Sequence, residues 1–155
     1  VKEARELVHG TCVAIGPRAA LLRGPSGAGK SDLALRFLAL PGEDGERPLL
    51  VADDQVFVAP NGSGELVASA PPSIAGKIEV RGLGIVELPA VAQARLTLVC
   101  DLVKSDDVRR MPSHPWERTV IAGVPVTLIK LDPFEASAPL KLKMALLWAA
   151  RDLPN

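Results

Sequence analysis

Gly24-Pro25-Ser26-Gly27-Ala28-Gly29-Lys30-Ser31 decides how the rest of the chain is read. The stretch has the form G-x-x-x-x-G-K-S, in which a glycine-rich backbone brings its N–H groups up to phosphate oxygens. The lysine adds a mobile charge for the β- and γ-phosphates, and the serine hydroxyl is placed to hold Mg²⁺ beside them. The flanks agree. Ala19-Ala20-Leu21-Leu22-Arg23 suits a buried strand, and residues 31–40 put Leu33, Phe37 and Leu40 on one helical face. The N-terminus of such a helix adds partial positive charge at the phosphate site. At ordinary residue frequencies a chance match in a chain of this length is on the order of one in two hundred. Phosphate binding by residues 24–31 is therefore the expectation, and a fortuitous glycine-rich turn the alternative.

Composition narrows the partners. The 155 residues carry 18 basic and 18 acidic side chains, so no basic excess points to nucleic acid. Two Trp, three Phe and no Tyr leave little for a platform that stacks a nucleic-acid strand. No apolar run is long enough to span a membrane, and the first ten residues lack the apolar core of a signal peptide. Cys12 and Cys100 lie in apolar segments with no CxxC spacing, and read as reduced core thiols of a cytoplasmic protein. The length suits one domain over residues 1–155.

In chain order, Val1 to Val8 reads as a short helix or loose end, and residues 11–23 as a hairpin feeding the phosphate loop. Leu49-Leu50-Val51-Ala52 is an apolar strand ending in Asp53-Asp54. Residues 55–70 form a β-hairpin around Asn61-Gly62-Ser63-Gly64. In residues 76–86, Glu79 and Arg81 alternate with Ile78 and Val80, which predicts both charges on one strand face. Gly82 and Gly84 there would permit close approach of another backbone. Residues 95–103 make a strand, 104–118 an exposed charged loop, 119–131 a hairpin, and 135–152 a helix with Leu140, Met144, Leu147 and Trp148 as apolar positions. The class is α/β, a mixed central sheet with flanking helices and β-hairpins.

Phosphoryl transfer needs an acid for Mg²⁺ and a group that orients or deprotonates the nucleophile. Two strand ends compete, Asp53-Asp54 and Asp101. Adjacent acids crowd like charge, which favours a base that can later act as an acid. A turn or helix cap is the bland reading of each. His9 alone would more often be structural. His114, Arg109, Arg110 and Arg118 read as a solvated face, or as a docking loop for a partner.

Taken together, His9-Gly10, GPSGAGKS, Val-Ala-Asp-Asp at 51–54 and Ile-Glu-Val-Arg-Gly-Leu-Gly-Ile at 78–85 resemble, in order and spacing, the HPr kinase/phosphorylase family. The resemblance implies a phosphate-loop fold similar to phosphoenolpyruvate carboxykinase, assembled as a homo-oligomer, a hexamer. It implies ATP- and Mg²⁺-dependent phosphorylation of a serine on the phosphocarrier protein HPr of the sugar phosphotransferase system. It also implies the reverse phosphorolysis, with inorganic phosphate taken up and pyrophosphate released. By the same resemblance Lys30 and the backbone of 24–31 hold the phosphates, and Ser31 and Glu79 hold Mg²⁺. Asp53 is then the catalytic base, Asp54 supports it or the metal, His9 lines the site, and Arg81 neutralises transferring phosphate.

Two departures stand out. No segment here corresponds to the family's N-terminal domain, which suggests a short form or an excised catalytic domain. The family's Pro-Gly-Arg-Asn loop is replaced by Asp132-Pro133-Phe134-Glu135-Ala136. The competing functions are a small-molecule kinase with a phosphate loop, and a nucleotide-dependent switch without transfer. The absence of Asn-Lys-x-Asp counts against a guanine-reading switch.

Overall fold

Short aliphatic and β-branched runs alternate with glycine turns along most of the chain, and such runs form strands where both faces can be buried. The structure, a computed structural model, describes residues 5–149. Its strands are β1 (Glu6–His9), β2 (Thr11–Ile15), β3 (Arg18–Arg23), β4 (Pro48–Ala52), β5 (Gln55–Pro60), β6 (Leu66–Ser69), β7 (Lys77–Val80), β8 (Gly84–Glu87), β9 (Gln93–Leu102), β10 (Arg118–Ile121) and β11 (Val124–Leu131). Its helices are α1 (Lys30–Leu38) and α2 (Ala138–Ala149), with single 3-10 turns at Pro72–Ile74 and Ser105–Asp107. Among the described residues no helix is long and apolar enough to cross a membrane.

One mixed sheet runs β1-β5-β6-β9-β3-β2-β4, with β11 also beside β9 and β10 outside β11. β2 and β3 are the expected hairpin, Thr11 opposite Leu22. β3 is parallel to β9, and β9 to β11. β2 is antiparallel to both β3 and β4, so β4 runs with β3. The carboxyl ends of β3, β4, β9 and β11 therefore share one edge, where open α/β sheets gather ligands. The long strand β9 divides its outer edge: Gln93–Arg95 pairs with β6, and Leu98–Leu102 with β11.

Alternation buries both faces of the central strands. Val13, Leu22, Leu50, Leu98 and Cys100 pack under Leu33 and Phe37 of α1 and Leu142 and Leu146 of α2. Cys12, Ala14, Leu21, Val51 and Val99 face the other way, against Val56, Val58 and Leu66. Both cysteines are free and fully buried, and burial pushes their thiols above the usual range, with Asp101 adding to the effect on Cys100.

Several expectations change. Residues 6–8 belong to strand β1, antiparallel to β5, and residues 1–4 lie outside the described residues. The segment 77–87 is a hairpin, β7 with β8, rather than one strand. Gly82 (φ +91°) and Gly84 (φ +96°) serve its tight turn, and among the described residues no atom lies within 4 Å of a Cβ added at either. α2 starts at Ala138, because 132–137 is held as a separate loop, and residues 150–152 lie outside the described residues. α2 is apolar nearly all round, so periodicity did not choose its inner face: Leu142 and Leu146 are buried while Leu140, Met144 and Trp148 are exposed.

Candidate active site

β3 delivers the chain at Arg23 into the glycine loop, which closes with the Ala28 N–H on the Pro25 carbonyl at 3.0 Å. Gly29 (φ +97°) takes a left-handed conformation open to glycine, and its carbonyl receives the first helical bond from the Leu33 N–H at 2.9 Å. The Lys30 ammonium folds back over the loop, donating to the Gly24 carbonyl at 2.6 Å and the Pro25 carbonyl at 3.0 Å. It thus stands at the mouth of the loop, able to exchange these carbonyls for phosphate oxygens.

Asp53 follows the last residue of β4 and is only 8% exposed. A carboxylate so placed needs donors. Its Oδ1 accepts the Thr11 hydroxyl at 2.9 Å and the Ser31 hydroxyl at 3.1 Å, and its Oδ2 accepts the Glu79 N–H at 3.1 Å. Three separate segments, β2, α1 and β7, thereby fix one carboxylate beside the phosphate loop. Asp54 turns outward (φ +72°), and its exposed carboxylate faces His9 Nδ1 at 3.6 Å. Gly10 makes this arrangement possible. Its N–H donates to the Asp54 carbonyl at 3.0 Å, and a Cβ on it would stand 2.6 Å from the Leu22 carbonyl oxygen.

Of the residues expected at the site, the structure joins Ser31 directly to Asp53 and brings Glu79 there by its backbone. The Glu79 side chain is exposed. Asp53 and Asp54 are held by different partners, Asp53 by Thr11, Ser31 and the Glu79 N–H, and Asp54 by His9. Arg81 lies in the turn after β7, exposed, and is not on a strand face with Glu79. Asp101 is taken by Arg23, its register partner, through bonds of 2.8 and 3.2 Å, so that strand end is a neutralised pair.

Among the described residues no three His, Cys, Asp or Glu side chains form a metal cage of their own. The Ser31 hydroxyl and Asp53 carboxylate nevertheless offer the hard oxygens that suit Mg²⁺, an ion that completes its shell with phosphates and water.

Sequence reasoning passed over three residues. Thr11 is wholly buried against Asp53, and its only signal is that it follows His9-Gly10. Arg36, one turn after Asp32, donates to the Asp32 carboxylate at 3.0 Å, to the Glu135 carbonyl at 3.3 Å and to the Pro133 carbonyl. Phe134 stands against Gly29: a Cβ there would meet its ring at 3.2 Å. The turn carrying Phe134 is closed by Asp132, whose carboxylate accepts the Ser105 hydroxyl and the Phe134 N–H at 2.9 Å. These bonds, Ser105 first, hold the Asp132 carboxyl below the usual carboxylate range. Arg109, Arg110 and Trp116 instead line a cleft of about 560 Å³ with Met144 and Trp148 of α2, a cleft that no residue of the glycine loop borders.

Comparison with known proteins fits this geometry. The family model "HPr Serine kinase C-terminal domain" matches residues 3–132. A relative from Geobacillus sp. (strain WCH70), named HPr kinase/phosphorylase, is 32% identical over 141 residues, 86% of this chain and 42% of that protein. One of the same name from Exiguobacterium sibiricum is 36% identical over 102 residues, 61% of this chain and 31% of that protein. The chain thus spans less than half the length of these relatives. The solved structure of the Hpr(Ser) kinase/phosphatase from Coxiella burnetii superposes with a TM-score of 0.74 at 23% identity, covering 94% of this chain and 90% of that one, a likeness of fold.

Proposed function

This chain belongs to the family of the HPr serine kinase C-terminal domain, and on that premise we propose that it transfers phosphate from ATP to a serine of HPr and catalyses the reverse phosphorolysis. The observation that carries this reading is the Ser31–Asp53 contact, a buried carboxylate bonded to the hydroxyl of the phosphate loop. In the forward direction the acceptor serine oxygen attacks the γ-phosphorus, the bond to the bridging oxygen breaks and ADP leaves. Asp53 takes the serine proton, with Thr11 and the Glu79 N–H fixing its orientation. Lys30 and the backbone of 24–31 hold the phosphates. In reverse, an oxygen of inorganic phosphate attacks phosphoserine, Asp53 returns the proton to the departing serine oxygen, and pyrophosphate forms.

Mg²⁺ would be held by Ser31 and by the Asp53 carboxylate bonded to it, with the exposed Glu79 and Asp54 carboxylates as further ligands, and would neutralise phosphate charge. Arg81, on the turn of the β7–β8 hairpin, faces solvent where an incoming phosphate could meet it. The open rim supports a protein acceptor: His9 and Asp54 are more than half exposed, so water is excluded only when a partner covers them. HPr as partner, a cytoplasmic location and a homo-oligomeric, hexameric assembly belong to the same proposal.

The test is transfer in both directions with purified HPr. One arm offers ATP and Mg²⁺, the other serine-phosphorylated HPr and inorganic phosphate. Phosphoserine in the first and pyrophosphate in the second are expected. Nucleotide binding without either product would overturn the reading.

A further inference from the structure

Phe134 is an apolar ring left 70% exposed at the rim of the phosphate loop, and its position there is built rather than incidental. Asp132 closes the turn that presents it, and Arg36 ties the Pro133 and Glu135 carbonyls to α1. The ring comes within 3.2 Å and the Pro133 side chain within 3.3 Å of the place a Cβ would occupy on Gly29.

The sheet order gives this contact meaning. Across the functional edge the strands run β4-β2-β3-β9-β11. Asp53 leaves β4, two places from the loop strand β3 on one side, and Phe134 follows β11, two places away on the other. A nucleoside triphosphate places its reacting γ-phosphate towards Asp53 and Ser31. Its α-phosphate, ribose and base would then extend away from that carboxylate, past Gly29, towards the opposite flank. The exposed aromatic surface waiting there is Phe134. A planar base stacks on such a ring whatever its hydrogen-bonding edge, because every base has a π-face.

From this placement we infer that Phe134 is the stacking platform for the base of the bound nucleotide. The inference rests on the phosphate-loop reading and adds the contact that a phosphate loop cannot supply. One ring selects for a base over none, not for adenine over guanine.

The experiment is calorimetric titration of the full chain with MgADP and with magnesium tripolyphosphate, which has phosphates and no base. Phe134→Ala should weaken ADP binding on the order of tenfold and leave tripolyphosphate binding unchanged. Phe134→Trp should keep the ADP affinity, and ADP but not tripolyphosphate should change its fluorescence above that of Trp116 and Trp148. Equal losses for both probes, or no loss for ADP, overturn the inference. Wild-type protein that binds tripolyphosphate as tightly as MgATP, which carries the same three phosphates, also overturns it and spares the phosphate loop, whereas binding of neither probe overturns both. Absence of serine transfer with the expected binding pattern intact counts only against the kinase reading.

Discussion

The Ser31 hydroxyl donates to Oδ1 of Asp53 across 3.1 Å, joining the first turn of α1 to the end of β4. The bond couples a hydroxyl in the first turn of α1 to the carboxylate proposed as base. Asp53→Asn keeps the shape and removes the charge. Transfer should fall by about 10²–10⁴-fold, with MgADP affinity changed far less, in parallel kinetic and binding assays. Near-wild-type transfer by this variant would remove Asp53 from the chemistry.

Asp101 offers the matched control. Its carboxylate is spent on Arg23, so Asp101→Asn should cost about 1 kcal/mol of stability, for a pair only partly screened from water, and leave turnover intact. Denaturant melts and the same transfer assay check it. If Asp101→Asn abolished transfer while Asp53→Asn preserved it, the catalytic strand end would be the other one.

Gly10→Ala should cost about 1–3 kcal/mol, because its Cβ would sit 2.6 Å from the Leu22 carbonyl oxygen and a backbone atom cannot swing aside. The strain falls on the crossing that carries His9 and on the strand that feeds the glycine loop. A lowered melting temperature accompanied by weaker nucleotide binding is expected. An unchanged melting temperature would show that the crossing is looser than the geometry indicates.

Lys30→Ala should reduce affinity for MgADP and tripolyphosphate together, since the lost ammonium serves phosphates and not the base. Folding should survive, because the free protein loses only bonds to the Gly24 and Pro25 carbonyls at the edge of the loop. Calorimetry of both ligands tests this, and a loss confined to ADP would contradict it.

The two buried thiols give a pH signature. Their folded pKa values are raised, so the stability tied to keeping them protonated is complete below the ordinary thiol pKa and declines as pH rises past it, towards the folded values. Above about pH 8.5 stability should fall as pH rises, because only the unfolded chain releases the thiol protons. Denaturant titrations at several alkaline pH values should show that decline, and Cys12→Ala with Cys100→Ala should flatten it.

The phosphate loop and the Asp53 strand end were legible because their signals are local: glycines at fixed spacing, and an apolar run ending in acid. The β2–β3 hairpin was legible from β-branched content and the Gly16 turn. Thr11 was not, because its role exists only once β2 and β4 pair and bring it against Asp53. The same holds for Arg23 and Asp101, whose mutual neutralisation depends on register across 78 residues of sequence. Arg81 is off the Glu79 face because β7 ends at Val80, one residue before the alternation of 78–81 does, and the chain there enters the turn through Gly82. In the sequence Phe134 shows only as part of 132–136, the segment in place of a family loop, and its position at Gly29 appears only with the packing of 132–135 against α1.

The strands β7 and β8 pair with each other and with no strand of the main sheet. Lifting them therefore breaks no rung between the named strands of that sheet; the hairpin is anchored by the buried Ile78, by Val80 and Val86 against the core and by the bond from the Glu79 amide to Asp53, and the segment after it by bonds between Pro89, Val91 and Leu50. Amide hydrogen exchange should accordingly rank these residues well ahead of β3 and β9, in a sub-global opening far below the global unfolding free energy. Asp53 would keep Thr11 and Ser31 through such an opening and lose one donor, while the scaffold beneath stays folded.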